Sequence, residues 1–496
     1  MDPILLALPL IFNAEVMGVM ALAALFGLVI GSTPGLTATM ATALLVPLTF
    51  FMDPVPAIAS MVTATAMAIF AGDIPGALLR VPGTPASAAY AAEAFEMTRK
   101  GLAERALGTS LVGSAIGGLF GTTVLVLSAP QLAEVALQFT QFEYFWLACL
   151  GLTCAVFVST ARPVKGAVSL LIGLLVATIG IDVTAGFPRF TFGIPDLLGG
   201  VAFIPAMIGM FAVAEILRNV VSNATLQPPK LERMSHVFRG LGGIFRRYWR
   251  GLLRGSALGT GIGILPGAGG DIAAWVSYAL SKRLSKEPEK FGTGHIEGIV
   301  DAGAANNAAL SGAWVPALVF GIPGDSITAI VIGVLYVKGM NPGPTVFLTS
   351  PELIYAVFIA FFVANLALIP FGFVAIALAR HILRIPRGII WPAVLLFSIV
   401  GAFAIDNSLS GVVVMLVMGV LAFLMEENGF PVAPAILGLV LGPMLEANFM
   451  TAMIKADGHL LAFFERPIAA GLGAATVLVW TAPLALRLLR RARQLS

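Results

Sequence analysis

Four short loops set proline directly before glycine within otherwise apolar sequence: GSTPG at 31–35, VPGTPAS at 81–87, GILPG at 263–267 and IPGDSIT at 322–328. Proline removes a backbone donor and glycine loosens a helix, so each loop is read as a helix break that frees backbone polar groups. An apolar stretch resumes after each break, with Thr37 and Thr39, Thr84 and Ser87, Gly269 and Asp271, or Ser326 and Thr328 in its opening turn. A helix start carries unpaired N–H groups and partial positive charge, which hold an anion without a basic side chain. The candidate binding residues are therefore Thr33, Pro34, Gly35, Pro82, Gly83, Thr84, Ser87, Pro266, Gly267, Ala268, Gly269, Pro323, Gly324, Asp325 and Ser326. Unwound carbonyls beside them suit a sodium ion, with Gly31, Gly263 and Asp271 as candidates. A single Pro-Gly pair more often permits close packing or a kink. Four of them in matched positions favour the binding reading.

Polar side chains inside apolar segments are expensive and mark function by default. Here they are Asp73, Arg80, Asp271, Asp325 and the amide pair Asn306 and Asn307. Arg80 either contacts an anionic ligand or pairs with Asp73, seven residues before it. Asp271 and Asp325 have an alternative role as helix caps. His236, His295, His381 and His459 lie in or beside polar loops without metal-ligand spacing and are expected to be solvated. Cys149 and Cys154 sit in an apolar run and read as packing residues. There is no phosphate-binding loop, nucleophile elbow or HExxH, so nothing supports an ATP-driven pump or an enzyme, and no cofactor is expected.

The elements that position these residues must cross a membrane. Of 496 residues 58% are apolar and only 11% charged, and the mean hydropathy is +0.96, a composition outside the range of soluble domains. The net charge of +3 comes from short basic clusters that speak to membrane orientation, not to nucleic acid. Windows long enough to span lie at 107–129, 143–160, 165–181, 196–216, 351–375, 388–405, 409–425, 431–449 and 467–486. Segments 14–52, 57–95, 255–281 and 303–338 are broken by Gly and Pro, and 255–281, basic at both ends, reads as a re-entrant hairpin. The opening MDPILLALPLIF lacks a basic flank and is expected to remain as a membrane segment. Placing the basic clusters on the cytoplasmic side puts the C-terminus there too.

The loops repeat. GSTPG matches GILPG at an offset of 232 residues and VPGTPAS matches IPGDSIT at 241, the difference being taken up by the polar insert SKEPEKFGTGHIEG. The first copy exits at the basic loop 96–106 and the second at the nearly uncharged 339–350, which predicts opposite orientations. The predicted fold is an all-α polytopic membrane protein of two inverted-topology repeats with discontinuous helices and re-entrant hairpins. Its parts are a first repeat at 1–217, a basic connection at 218–254 and a second repeat at 255–496.

The stretches GDIPGALLRVPGTPASAAYAAEAFEMTRKGLAERALG at 72–108 and LPGAGGDIAAW at 265–275 resemble the large membrane subunit of the tripartite tricarboxylate transporters, the TctA family. So does the run from SKRLSKEPEKFG through AANNAALSGAWVPALVFGIPG to GMNPGP. The resemblance implies a secondary carrier of the bacterial inner membrane, driven by a Na+ or H+ gradient and importing small carboxylates. It also implies two partners, a small membrane subunit of about four spans and a periplasmic solute-binding protein. It points to the Pro-Gly loop pairs and Asn306–Asn307 as site elements. Asp73, Arg80, Asp271 and Asp325 depart from commoner residues of the family, so a tricarboxylate substrate does not follow. The competing class is a channel or membrane scaffold without coupled transport; inverted, broken helices favour a moving carrier.

Overall fold

The computed structural model describes residues 3–158, 162–182, 184–222, 234, 236–267, 269–383 and 387–495. Ala268, the part of the connection at 223–233 and Ser496 lie outside them. The chain is almost entirely helical. The first half comprises α1 (Pro3–Ile11), α2 (Ala14–Ser32), α3 (Ala38–Thr49), α4 (Pro54–Ala71), α5 (Asp73–Leu79), α6 (Ala91–Arg99), α7 (Ala103–Ala136), α8 (Gln141–Val158), α9 (Pro163–Ala177), α10 (Phe203–Ile208) and α11 (Ala214–Ser222). The second comprises α12 (Leu241–Arg247), α13 (Trp249–Ile264), α14 (Gly269–Leu284), α15 (Ile296–Phe320), α16 (Ser326–Val337), α17 (Val346–Thr349), α18 (Pro351–Ile382), α19 (Arg387–Asp406), α20 (Leu409–Glu427), α21 (Val432–Lys455) and α22 (Pro467–Leu495).

Among the described residues seven helices are long and apolar enough to span, and the remaining predicted spans correspond to shorter apolar helices. The protein is therefore a multi-pass membrane protein. All nine predicted spans fall on helices, and the four broken segments are broken where proline and glycine were expected to act. The sequence reading missed a two-stranded hairpin, β1 (Gly180–Ile181) with β2 (Pro188–Arg189), paired antiparallel. Consequently the span predicted from 196 begins at Phe203.

Two compact units cut across the halves. One is 1–133 with 204–424, and the other 134–203 with 425–496. The smaller unit is built on α8, α9, α21 and α22. Gly173 of α9 abuts the Ala435 backbone of α21, and Arg466 pairs with the buried Glu143 at 2.6 Å. In its hairpin Arg189 joins Glu446 at 2.6 Å and Asp182 at 2.9 Å.

In the larger unit small residues let helices touch along their backbones. A Cβ on Gly27 or Gly31 of α2 would collide with the carbonyl of Ala64 or Ala68 on α4, and one on Gly259 or Gly263 of α13 with that of Ala305 or Ala309 on α15. These contacts recur at the two offsets read from the loops. So do three further features. The N–H groups of Arg80 and Gly321, both left-handed, reach the carbonyls of Pro75 and Pro316. A Cβ on Gly83 would lie 2.7 Å from Gly72 Cα, and one on Gly324 2.8 Å from Ala313 Cα. Finally, Thr84 with Ser87 and Asp325 with Thr328 form the same reciprocal turn, each side chain accepting the other's backbone N–H.

Candidate functional site

Loops from both halves meet in the larger unit. The Gly267 N–H donates to the Gly324 carbonyl at 2.7 Å, closing GILPG onto IPGDSIT. Gly269 sits against the Asp325 side chain and Gly270 against Asn306, where their missing Cβ atoms would fall 2.8 and 3.3 Å from the nearest atoms. From the first half, the Gly83 N–H donates to the Gly72 carbonyl at 2.9 Å, and Gly83 also abuts the Gly31 carbonyl. The halves join where the Trp275 indole N–H of α14 donates to the Pro85 carbonyl at 3.1 Å. Thus Gly83 is brought against Gly31, Gly267 and Gly269 against 324–325, and Trp275 against Pro85. Gly35 lies apart from them, beside Asn219 of α11.

The helix starts are less available than expected. The turn of Thr84 and Ser87 opens only a single 3-10 turn and satisfies its own donors, with Thr84 N–H on Ser87 Oγ and Ser87 N–H on Thr84 Oγ1, both 3.1 Å. Asp325 is a full capping box on α16, its Oδ1 accepting the Thr328 N–H at 2.8 Å. Ser326 and Pro323 belong to this closed turn. On α3 Thr37 caps Met40 at 3.2 Å. Among the described residues no side chain caps the N–H groups of Gly269, Gly270 and Asp271, which open α14. Gly31 and Gly263 are occupied by helix packing. Thr33 caps α2 and turns its hydroxyl to the Val29 carbonyl at 2.8 Å.

A buried polar network lies behind the loops. The Tyr90 hydroxyl donates to Asp73 Oδ1 at 2.7 Å, the Ser110 hydroxyl donates to Oδ2, and the Asn306 amide approaches the Tyr90 oxygen at 3.4 Å. Next to it the Asn307 amide donates to Asn365 Oδ1 at 2.9 Å and to the Ser114 carbonyl at 3.2 Å. Asn365 reaches on to Thr122, which contacts Ser311 at 3.2 Å. Gly118 leaves the space that Asn365 occupies. Tyr90, Ser110 and Asn365 were not singled out from sequence, although a lone amide in the apolar run of α18 is a legible signal.

Arg80 does not pair with Asp73. It is exposed, left-handed at φ 59°, and its guanidinium lies 5.9 Å from the centre of the Phe95 ring. The reason is geometric: Asp73 opens α5 and Arg80 follows its end, about 10 Å further along the axis. The equivalent position in the second half is Gly321, at φ 67°. Arg80→Gly is therefore expected to stabilise the fold by about 1 kcal/mol, the left-handed penalty of a side chain. Thermal unfolding of the detergent-solubilised protein checks this, and a lower midpoint would refute it.

His295 is also not solvated as expected. It is buried beside Phe291 and Tyr248, and its N–H donates to Glu93 Oε2 at 2.7 Å. The buried Glu93 of α6 also accepts the N–H groups of Gly292 and Gly294 and the Tyr278 hydroxyl. Away from the loops, a small apolar cavity is lined by residues including Ile58, Met340 and Val357 and offers no polar partner.

Comparison with known proteins agrees with this architecture. Residues 17–437 match the family described as "Tripartite tricarboxylate transporter TctA family". The chain is 36% identical over 448 residues to the "Uncharacterized 52.8 kDa protein in TAR-I ttuC' 3'region" of Agrobacterium vitis, covering 90% of this chain and 89% of that protein. It is 36% identical over 228 residues to the "Uncharacterized protein in TAR-II ttuC' 3'region" of the same organism, covering 45% of this chain and 94% of that one. No solved structure matches significantly. With the matched region covering most of its length, the chain belongs to the TctA family of tripartite tricarboxylate transporters.

Proposed function

We propose that the chain is the large permease subunit of a binding-protein-dependent secondary transporter that imports small organic carboxylates, di- or tricarboxylate-like, with a Na+ or H+ gradient. In this reading it sits in the bacterial inner membrane with its C-terminus in the cytoplasm. It works with a small membrane subunit of about four spans and a periplasmic solute-binding protein. The observation that carries the reading is the meeting of Pro-Gly loops from both halves around the open start of α14, joined by the bond from Trp275 to Pro85. The recurrence of Gly-Ala packing and of the capped turns at fixed offsets supports a duplicated body. With the charge asymmetry of the exit loops, it supports inverted repeats, in which substrate sits between discontinuous helices.

Electrostatics supports coupling. The first N–H groups of α14, which no side chain caps among the described residues, attract an anion, yet Asp271 lies in the same first turn and Asp325 beside Gly269. Two carboxylates repel a bound carboxylate unless a cation accompanies it. A substrate anion and a coupling cation then belong to one loaded state.

The test uses Gly267, the Pro-Gly glycine of the meeting loops held at positive φ, 79°, a region strongly disfavoured for a β-branched residue. Gly267→Val is expected to abolish uptake of citrate and succinate by cells expressing the whole system, with the protein at normal abundance. Gly83 and Gly324 serve less well, because their packing on Gly72 and Ala313 makes abundance fall with activity. Normal uptake by Gly267→Val, or its disappearance from the membrane, would sink the site.

A further inference from the structure

Among the described residues four carboxylic side chains are buried: Asp73, Glu93, Glu143 and Asp301. Three are met by backbone N–H or guanidinium donors. Glu93 accepts three backbone N–H groups, Glu143 the Thr140 N–H and Arg466, and Asp301 the Arg254 guanidinium. Backbone N–H and guanidinium groups only donate, so a protonated carboxyl in those places would oppose them.

Asp73 differs. Its partners are two hydroxyls, Tyr90 on Oδ1 and Ser110 on Oδ2, and no ion pair forms with it among the described residues. A hydroxyl both donates and accepts. On protonation the new O–H donates to the oxygen of Ser110 or Tyr90. The Ser110 hydroxyl can then turn to a helix carbonyl one turn back, as Thr109 already does to Arg105 at 2.7 Å. The Tyr90 oxygen already faces the Asn306 amide as an acceptor. Both protonation states are therefore satisfied by rotating hydroxyls, without moving backbone.

Among the described residues no fixed charge meets the carboxyl. α4 and α2 pack on α5 with apolar side chains, α6 turns its Glu93 to the backbone of 292–295, and the turn before α6 presents Tyr90, a titratable group that faces the carboxyl. α7 presents Ser110 and α15 the neutral Asn306, while Asp301 of α15 is held by Arg254. Asn306 also touches Gly270 at the start of α14. The hydroxyl-bound carboxyl is thus linked through Tyr90 and Asn306 to the candidate substrate loop.

We propose that Asp73 is the binding site for the coupling proton of this carrier, with Tyr90 and Asn306 relaying its protonation state to the loop that opens α14. The proposal rests on the carrier reading above. The proton comes from water on one side, forms the O–H of Asp73 and leaves to water on the other. No further reactant is required.

The decisive measurement needs no substrate. Infrared difference spectra of the purified full chain in nanodiscs, titrated with pH, are expected to show a buried carboxyl C=O band that is missing in Asp73→Asn. Its persistence in that variant, or its absence from wild type, overturns the proposal. Should Asp73→Asn fail to fold, Tyr90→Phe serves: the band is expected to remain with a displaced midpoint, and an unchanged midpoint overturns it. In proteoliposomes that carry the chain with its small membrane subunit and are supplied with the binding protein and citrate, Asp73→Asn is expected to retain counterflow yet lose accumulation driven by a pH gradient. Retained accumulation, or loss of wild-type uptake when choline replaces sodium, also overturns it. Absence of citrate and succinate counterflow in wild type would instead count against the carrier reading, which the infrared result does not depend on.

Discussion

Arg254→Met is expected to remove most of the folded protein from the membrane. The Asp301 carboxylate on α15 is wholly buried, and Arg254 of α13 is the cation that meets it, with Nε 3.1 Å from Oδ2 and Nη2 closer. Among the described residues the other oxygen, Oδ1, is not within hydrogen-bond geometry of a donor. It faces Gly251, where any side chain would collide with it. Removing one member of a buried pair costs about 3–5 kcal/mol, because the remaining charge is uncompensated. That is a large part of the roughly 5–15 kcal/mol by which proteins are stable. The double variant Arg254→Met with Asp301→Asn is expected to recover most of the loss, since the stranded charge is then gone. Size-exclusion profiles and thermal midpoints of solubilised protein check both. A single variant as stable as wild type, or a double variant no better than the single, would show that the pair carries little.

The second large effect is expected at Glu93. Glu93→Ala strands the N–H groups of Gly292, Gly294 and His295 together with the Tyr278 hydroxyl, around a carboxylate that is itself buried. Each stranded buried group costs about 1–3 kcal/mol, so even partial relaxation leaves a loss of several kcal/mol. Tyr278→Phe removes one neutral donor and is expected to cost only about 1 kcal/mol. The loop at 285–295 reports the difference directly: limited proteolysis there is expected to accelerate in Glu93→Ala and not in Tyr278→Phe. Equal resistance of the Glu93 variant and wild type would mean that the carboxylate does not hold the loop.

These effects also mark what a sequence conveys and what it hides. Spans were legible because lipid demands about twenty apolar residues whatever the neighbours do. The Pro-Gly breaks were legible because their backbone chemistry is local. The offsets of 232 and 241 found in the loops extend to the Gly-Ala helix contacts, which were not anticipated. The donors that the loops offer were overcounted. Both self-capped turns place a hydroxyl or carboxyl at the cap and a hydroxyl three residues on, a pattern that foretells reciprocal capping. Glu93, Tyr90, Ser110 and Asn365 stayed hidden because each matters through a partner on another element, from 17 residues away for Tyr90 and Asp73 to 243 for Asn365 and Thr122. Polarity misled for His295: the insert that contains it is polar, but Glu93 pulls its end inward.

The Glu93 clasp has a consequence for how the chain is made. Its partners lie 185 to 202 residues downstream, and Trp275, Asn306 and Thr293 meet Pro85, Tyr90 and Lys100 across similar intervals. At about 5–20 residues per second, a ribosome needs roughly 10–40 s to deliver them. For that time the first half, already threaded into the bilayer, holds the carboxylate of Glu93 and the carbonyl of Pro85 without their eventual donors. The clasp is therefore a late event of biogenesis, closing only after the second half has entered the membrane, and the newborn first half depends on water or a chaperone until then.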